Sequence, residues 1–167
     1  MKRPSALLGS AFFLVLAPGT VAGFVPWYLC RWDVSPPLPG FAFLRILGVL
    51  LVLAGLPVLL DSFARFALQG LGTPAPVAPT EHLVISGFYR YVRNPMYVAV
   101  VSLVLGQGLF FGSLSVLVYG ASLWLIFTLF VMSYEEPTLR RSFGGQYAAY
   151  CAQVGRWLPR FKPYKSC

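Results

Sequence analysis

The sequence predicts an all-α integral membrane domain, with about four transmembrane helices followed by a cytoplasmic C-terminal helical tail. Three observations predict it. Of the 167 residues, 57% are hydrophobic and 11% charged, and the mean hydropathy is +0.71, whereas soluble domains carry about 25% charged residues. The apolar residues fall into four runs that approach the roughly 20 residues needed to cross a bilayer as a helix. The basic residues gather on one side of those runs. The length suits a single membrane domain over 1–167, with two N-terminal spans and a linker in 1–80 and a core in 81–161.

The first span runs from about Ala6 to about Leu29, bent at Pro18, Gly19 and Pro26. Lys2 and Arg3 ahead of it resemble the start of a signal peptide. The apolar character outlasts a signal core, however, and Ala17-Pro18-Gly19 is a poor cleavage site, so an uncleaved span is expected. Arg31 to Pro39 is a proline-rich turn, and the second span runs from about Phe41 to about Leu60, ending near Asp61 and Arg65. Leu68 to Glu81, rich in Gly, Pro and Thr, reads as an irregular linker. The third span covers Pro95 to about Phe111, Gly112-Ser113 makes a tight turn, and the fourth span covers Leu114 to about Tyr134. The short third span suits half of a helical hairpin packed against protein.

Four spans place Lys2, Arg3, Arg65, Arg90, Arg93 and the six basic residues after Tyr134 on one side, with Arg31 and Arg45 on the other. Positive-inside logic puts the first side, both termini included, in the cytoplasm. A multi-pass protein of a bacterial inner membrane is the expectation. The net charge of +8 invites a nucleic-acid reading, but these cations flank hydrophobic spans and suit topology and anionic lipid contact instead. Cys30, Cys151 and Cys167 form neither a disulfide framework nor a C-x-x-C pair. Cys167 ends no C-a-a-X box, and His82, the single histidine, cannot build a zinc site alone. No metal is expected.

Beyond the fourth span, Glu135-Glu136-Pro137 reads as a helix start, with proline in the first turn and acids complementing the helix dipole. Glu136 and Arg140 stand at the spacing of an i,i+4 pair. Gly144-Gly145 breaks the helix, and a second short helix from about Gln146 to about Val154 sets Tyr147, Tyr150, Cys151 and Val154 on one face. This segment is expected to lie against the bilayer or to fold back over the site, since Trp157 and Phe161 follow among basic residues.

The residues that carry chemistry cluster in Ser86–Tyr97, S-G-F-Y-R-Y-V-R-N-P-M-Y, and at Glu135-Glu136. Ionisable groups at the edge of membrane-grade sequence are costly and mark functional sites. Each also has a structural reading. Asn94 and Pro95 suit the cap and first position of a helix. Arg90 and Arg93 suit interfacial cations, and Tyr89, Tyr91 and Tyr97 an aromatic belt. Glu135-Glu136 suits an ion pair with Arg140 or Arg93.

Taken together, G-F-Y-R-Y-V-R-N-P-M-Y, a hydrophobic hairpin, E-E-P-T-L-R-R-S-F-G-G-Q-Y-A-A-Y and a closing V-G-R-W-L-P-R-F resemble the membrane methyltransferases that include isoprenylcysteine carboxyl methyltransferases and phospholipid N-methyltransferases. The similarity covers roughly Glu81 to Phe161. It implies methyl transfer from S-adenosylmethionine to a hydrophobic, membrane-soluble acceptor, an isoprenylcysteine-type carboxylate or a lipid. The cofactor would bind on the cytoplasmic side, between the R-x-P-x-Y segment and the paired acids. Arg93, Pro95 and Tyr97 match the family's R-H-P-x-Y pattern, and Glu135 and Glu136 match its paired acids. On that resemblance Tyr89, Arg90, Arg93, Asn94, Pro95, Tyr97, Glu135 and Glu136 are expected cofactor contacts, and Arg93, Glu135 and Glu136 expected catalytic residues. Asn94 departs from the pattern, which usually has histidine there. An amide donates and accepts hydrogen bonds but takes no proton near neutral pH, so cofactor contact is expected of it and general-base catalysis is not.

The residue types suit that chemistry independently. Carboxylates can hold the ammonium and ribose groups of such a cofactor, and an arginine can fork onto its carboxylate. A helix N-terminus at Asn94-Pro95 favours the same group. With an anionic acceptor, transfer neutralises both reactants, which a low-dielectric site favours, while alignment supplies much of the rest. Gly106-Gln107-Gly108 permits close approach by cofactor or a neighbouring helix. The alternative is a non-catalytic small membrane protein or accessory subunit. A nicotinamide-dependent membrane reductase is a third reading, without a Rossmann glycine fingerprint to support it.

Overall fold

The computed structural model describes residues 15–34, 43–65 and 82–164, and every regular element within them is helical. Helix α1 spans Val15–Cys30, α2 Phe43–Arg65, α3 Pro95–Phe111, α4 Leu114–Phe130 and α5 Glu136–Gln153. A 3₁₀ turn, Gly87–Arg90, leads into α3. Helix α2 and the continuous helix Leu114–Gln153 are long and apolar enough to cross a membrane, while α1 and α3 are shorter apolar helices. Ile46, Leu53, Leu125 and Leu129 stand exposed on α2 and α4, an outward apolar surface of the kind a bilayer solvates. The expectations for residues before Val15, for most of the proline-rich turn, for the linker Leu68–Glu81 and for Cys167 lie outside the described residues.

Helices α2 and α3 pack backbone to backbone because glycine faces glycine. A Cβ on Gly106 would lie 2.7 Å from the Gly48 carbonyl oxygen, and one on Gly48 would lie 2.6 Å from the Gly106 oxygen, so neither position admits a side chain without parting the helices. Gly106-Gln107-Gly108 therefore serves helix packing. Gly108 sits against Leu117 of α4. Below the glycine contact, Leu59 and Phe63 of α2 bury against Ala99, Val100 and Leu103. On the other side of α3, Val101 and Val104 bury against Val116 and Leu123 of α4.

Helix α1 joins through a π turn, Thr20–Phe24, whose wider winding takes carbonyls off the regular ladder. Two of them accept bonds from neighbouring helices: Gln107 Nε2 donates to Ala22 at 2.7 Å, and the Tyr119 hydroxyl donates to Val21 at 3.1 Å. The first span is thus a helix locally widened by the π turn and held by side chains of α3 and α4.

Two boundaries depart from the sequence reading. Helix α2 continues past Leu60 to Arg65, stabilised by an Asp61–Arg65 pair at 3.1 Å and by burial of Ser62 and Phe63. Glu135-Glu136-Pro137 does not start a helix after a break. A π turn, Val131–Glu135, links α4 directly to α5. Pro137 lacks an N–H and its ring crowds the preceding turn. The Glu136 N–H reaches back five residues to Val131 O, and this wider turn makes room for the ring.

The expected break at the glycine pair is found at Gly144, which takes φ 48° and ψ −121° inside α5, a conformation glycine adopts without steric cost. The kink turns the final stretch of α5 back across the Ser86–Asn94 loop. Tyr147, Tyr150 and Val154 bury there with Tyr164, against Leu83, Ile85, Leu139, Phe143 and Cys151, so the predicted apolar face folds over the loop. Residues 155–164 then run along that loop as a strap. Arg93 N donates to Gly155 O, Arg160 N to Tyr91 O and Tyr164 N to Arg90 O, each at 2.9 Å.

Candidate active site

The site lies where the start of α3, the α4–α5 junction and the strap meet. The loop ahead of α3 is set by α2: Gly87, at φ 55°, lets the chain turn tightly over Asp61. One oxygen of Asp61 accepts the Phe88 N–H at 3.4 Å while the other accepts from Arg65. Tyr89 is buried, and its carbonyl accepts the Tyr150 hydroxyl. Arg90 turns to the strap, its Nε donating to Tyr164 O at 2.8 Å. Of the predicted contacts, Tyr89 and Arg90 thus shape the loop from behind.

Pro95 opens α3 and is fully buried. Asn94 holds the cap position, but its side chain caps nothing. Its carbonyl accepts the Val98 N–H, and Nδ2 instead donates across to Arg156 O at 3.2 Å. The capping role expected of this side chain is therefore replaced by a tie to the strap.

The two glutamates diverge, because neighbours on a helix point about 100° apart. Glu135 faces α3, where Tyr97 donates its hydroxyl to Oε2 at 2.9 Å and packs its ring against Phe127. Among the described residues no cation lies within 4.0 Å of the Glu135 carboxylate, and Tyr97 is its one hydrogen-bond partner. Glu136 points the other way and is buried. Arg93 NH1 reaches its Oε1 at 3.0 Å, while Arg156 forks onto it, Nε to Oε1 at 2.7 Å and NH2 to Oε2 at 2.9 Å. Burial pushes the Glu136 carboxyl up, but the Arg156 hydrogen bonds and the fields of Arg93, Arg156 and Arg140 outweigh it and hold the group below the ordinary glutamate range. Arg140 acts through its field alone. The i,i+4 pair expected with Glu136 is displaced by two better-placed arginines.

Arg93 is the hinge of the arrangement. NH1 also meets Cys151 Sγ at 2.9 Å, and Nε is buried with no partner among the described residues. A buried donor left unsatisfied costs about 1–3 kcal/mol, and more on a charged group such as a guanidinium, so this N–H calls for an acceptor.

A model of the phospholipid methyltransferase family matches residues 43–146, more than half of the chain. The chain belongs to that family. It is therefore a membrane methyltransferase of the isoprenylcysteine and phospholipid methyltransferase superfamily, as the Ser86–Tyr97 and Glu135-Glu136 segments suggest. No curated protein matches it. The matched stretch of this methyltransferase runs from the start of α2 to just past the Gly144 kink and contains Tyr89, Arg90, Arg93, Asn94, Pro95, Tyr97, Glu135 and Glu136. Helix α1 and the strap fall outside it.

Three participants escape the sequence reading: Asp61 under the loop, Cys151 beside Arg93, and Arg156 on Glu136. The first two carry no local signal, since their partners lie 27 and 58 residues away. Arg156 stands in the closing V-G-R-W-L-P-R-F that the resemblance includes, where a charge before an apolar segment was the available sign.

Proposed function

We propose that the chain is an S-adenosylmethionine-dependent methyltransferase acting on a membrane-soluble acceptor, an isoprenylcysteine-type carboxylate or a lipid. Its single domain would comprise four spans, α1 to α4, with both termini cytoplasmic and the site at the cytoplasmic edge. One observation carries this reading within the family: among the described residues, a carboxylate without a cation, on Glu135, and a buried guanidinium N–H without an acceptor, on Arg93, lie at one end of the same helix pair. The head of S-adenosylmethionine offers what each lacks, an ammonium and a carboxylate, so the residues fit the cofactor.

Glu135 would hold the ammonium, kept in place by the Tyr97 hydroxyl. Arg93 Nε would donate to the carboxylate, assisted by the N–H groups at the start of α3 beyond Asn94 and Pro95. Bound there, the cofactor supplies an activated methyl on a sulfonium. The chain contributes orientation and a dry, low-dielectric edge in which loss of charge between sulfonium and an anionic acceptor is favoured. Glu136 holds Arg93, and Tyr89 and Arg90 hold the loop. Exposed apolar helix faces allow a hydrophobic acceptor to approach from the bilayer.

Calorimetric titration of the purified full chain in detergent with S-adenosylhomocysteine tests the cofactor assignment. Saturable binding at one site per chain is expected, and a flat titration of folded protein overturns the proposal in favour of a non-catalytic membrane protein. The topology has its own test. Cysteines introduced as Ser113→Cys and Lys162→Cys, in a chain whose native cysteines are replaced, should label from opposite sides of the membrane. Labelling from the same side would refute four spans.

A further inference from the structure

Glu136 is one buried carboxylate shared by two arginines, and the two contacts are unequal. Arg156 takes both oxygens in a two-point fork, whereas Arg93 reaches only Oε1 and only through NH1. Fork geometry is the preferred mode of an arginine on a carboxylate. With Arg156 occupying it, Arg93 is left singly bound, steadied on its far side by Cys151 Sγ, and its buried Nε stays unpartnered.

We infer that Arg156 is a positioning residue that holds Glu136 so that Arg93 keeps Nε free for the anionic part of a ligand. The inference rests on the cofactor reading above. Charge supports it: two guanidiniums on one carboxylate leave this half of the site with a formal surplus of one positive charge, while Glu135 leaves the other half negative. A zwitterionic amino-acid head matches that division. Without Arg156 the first half is neutral, and Arg93 is free to rotate onto Glu136 as a fork and withdraw its donor.

The backbone around Arg156 is committed to the same place. Its carbonyl accepts Asn94 Nδ2, and the carbonyl before it, of Gly155, accepts the Arg93 N–H. The strap thus grips the main chain of Arg93, the side chain of Asn94 and the carboxylate that orients Arg93. Residue 156 lies beyond the stretch matched to the family, so that match assigns it no role.

The test uses the full chain in detergent, with Arg156→Gln, Arg156→Lys, Glu136→Gln and the double variant Glu136→Gln/Arg156→Gln. Each is measured for S-adenosylhomocysteine affinity by calorimetry and for thermal unfolding. Arg156→Gln should weaken binding roughly tenfold or more, as expected for loss of a charge-assisted contact. Arg156→Lys should fall between it and the wild type, because an ammonium restores the charge but not the fork. The double variant should bind no worse than the weaker single variant, since both changes break one unit. A lower melting temperature with unchanged affinity in Arg156→Gln overturns the inference and leaves Arg156 a strut. So do additive losses in the double variant. Should the glutamine variant not fold, the lysine variant decides, and wild-type affinity there is the overturning result. A wild type that binds no S-adenosylhomocysteine removes the cofactor reading and this inference with it. Wild-type binding with indifferent Arg156 variants removes this inference alone.

Discussion

Glu136→Gln should destabilise the protein by about 3 kcal/mol, seen as an earlier unfolding transition in detergent. The carboxylate is buried and ion-paired with both Arg93 and Arg156. Removing one partner of a buried ion pair typically costs about 3–5 kcal/mol, because the remaining charge is left uncompensated. The lower end applies here, since the Arg156 side chain is 31% exposed and water takes part of its charge. The pH dependence follows from the lowered Glu136 value. A carboxyl whose folded value is depressed contributes stability above its unfolded value, 4.5, and loses it as pH falls through the folded value. The wild type should therefore lose stability steeply on acidification below about 4.5, and Glu136→Gln should show a shallower acid limb. Equal unfolding of variant and wild type at neutral pH would contradict the paired role assigned to Glu136.

Glu135→Gln should do the reverse, sparing the fold and striking the ligand. The Glu135 carboxylate has no cation within reach among the described residues, so neutralising it removes an uncompensated charge from a half-buried position. The melting temperature of the unliganded protein should hold or rise. Binding of S-adenosylhomocysteine should weaken about ten- to a hundredfold, the equivalent of a charge-assisted hydrogen bond of about 1.5–3 kcal/mol. The thermal shift on adding ligand should shrink accordingly. Undiminished affinity would remove Glu135 from the cofactor site, and a fall in unliganded stability would show that its charge is compensated. The contrast between adjacent glutamates, one ion-paired to two arginines and one proposed to hold the ligand, is the sharper test, because their side chains differ only in direction.

The third and fourth helices lie where the apolar runs end. Pro95 opens one and Gly112-Ser113 closes the turn between them, because proline at a first helical position and a left-handed glycine after a last one are local signals that need no tertiary context. The Gly144 kink and the buried face Tyr147–Tyr150–Val154 follow for the same reason. The α4–α5 junction went otherwise. A proline after two acids satisfies the local rules for a helix start, and only burial of Val131 with the arginines gathered on Glu136 carries the helix through it. The Asn94 side chain follows the same pattern. Its side chain can cap locally, but the strap supplies Arg156 O, a partner 62 residues distant.

Composition and periodicity were enough to establish an all-helical membrane-type chain, and motif order was enough for its family. Those properties sum over many residues or repeat at short range, so no single distant contact alters them. Which of two adjacent carboxylates is neutralised, which arginine is left with a donor to spare, and that a C-terminal strap holds both were decided by the tertiary structure alone. Each depends on a few distances near 3 Å between groups far apart in the chain, where the strength of a charge-assisted contact turns on direction and burial rather than on residue type.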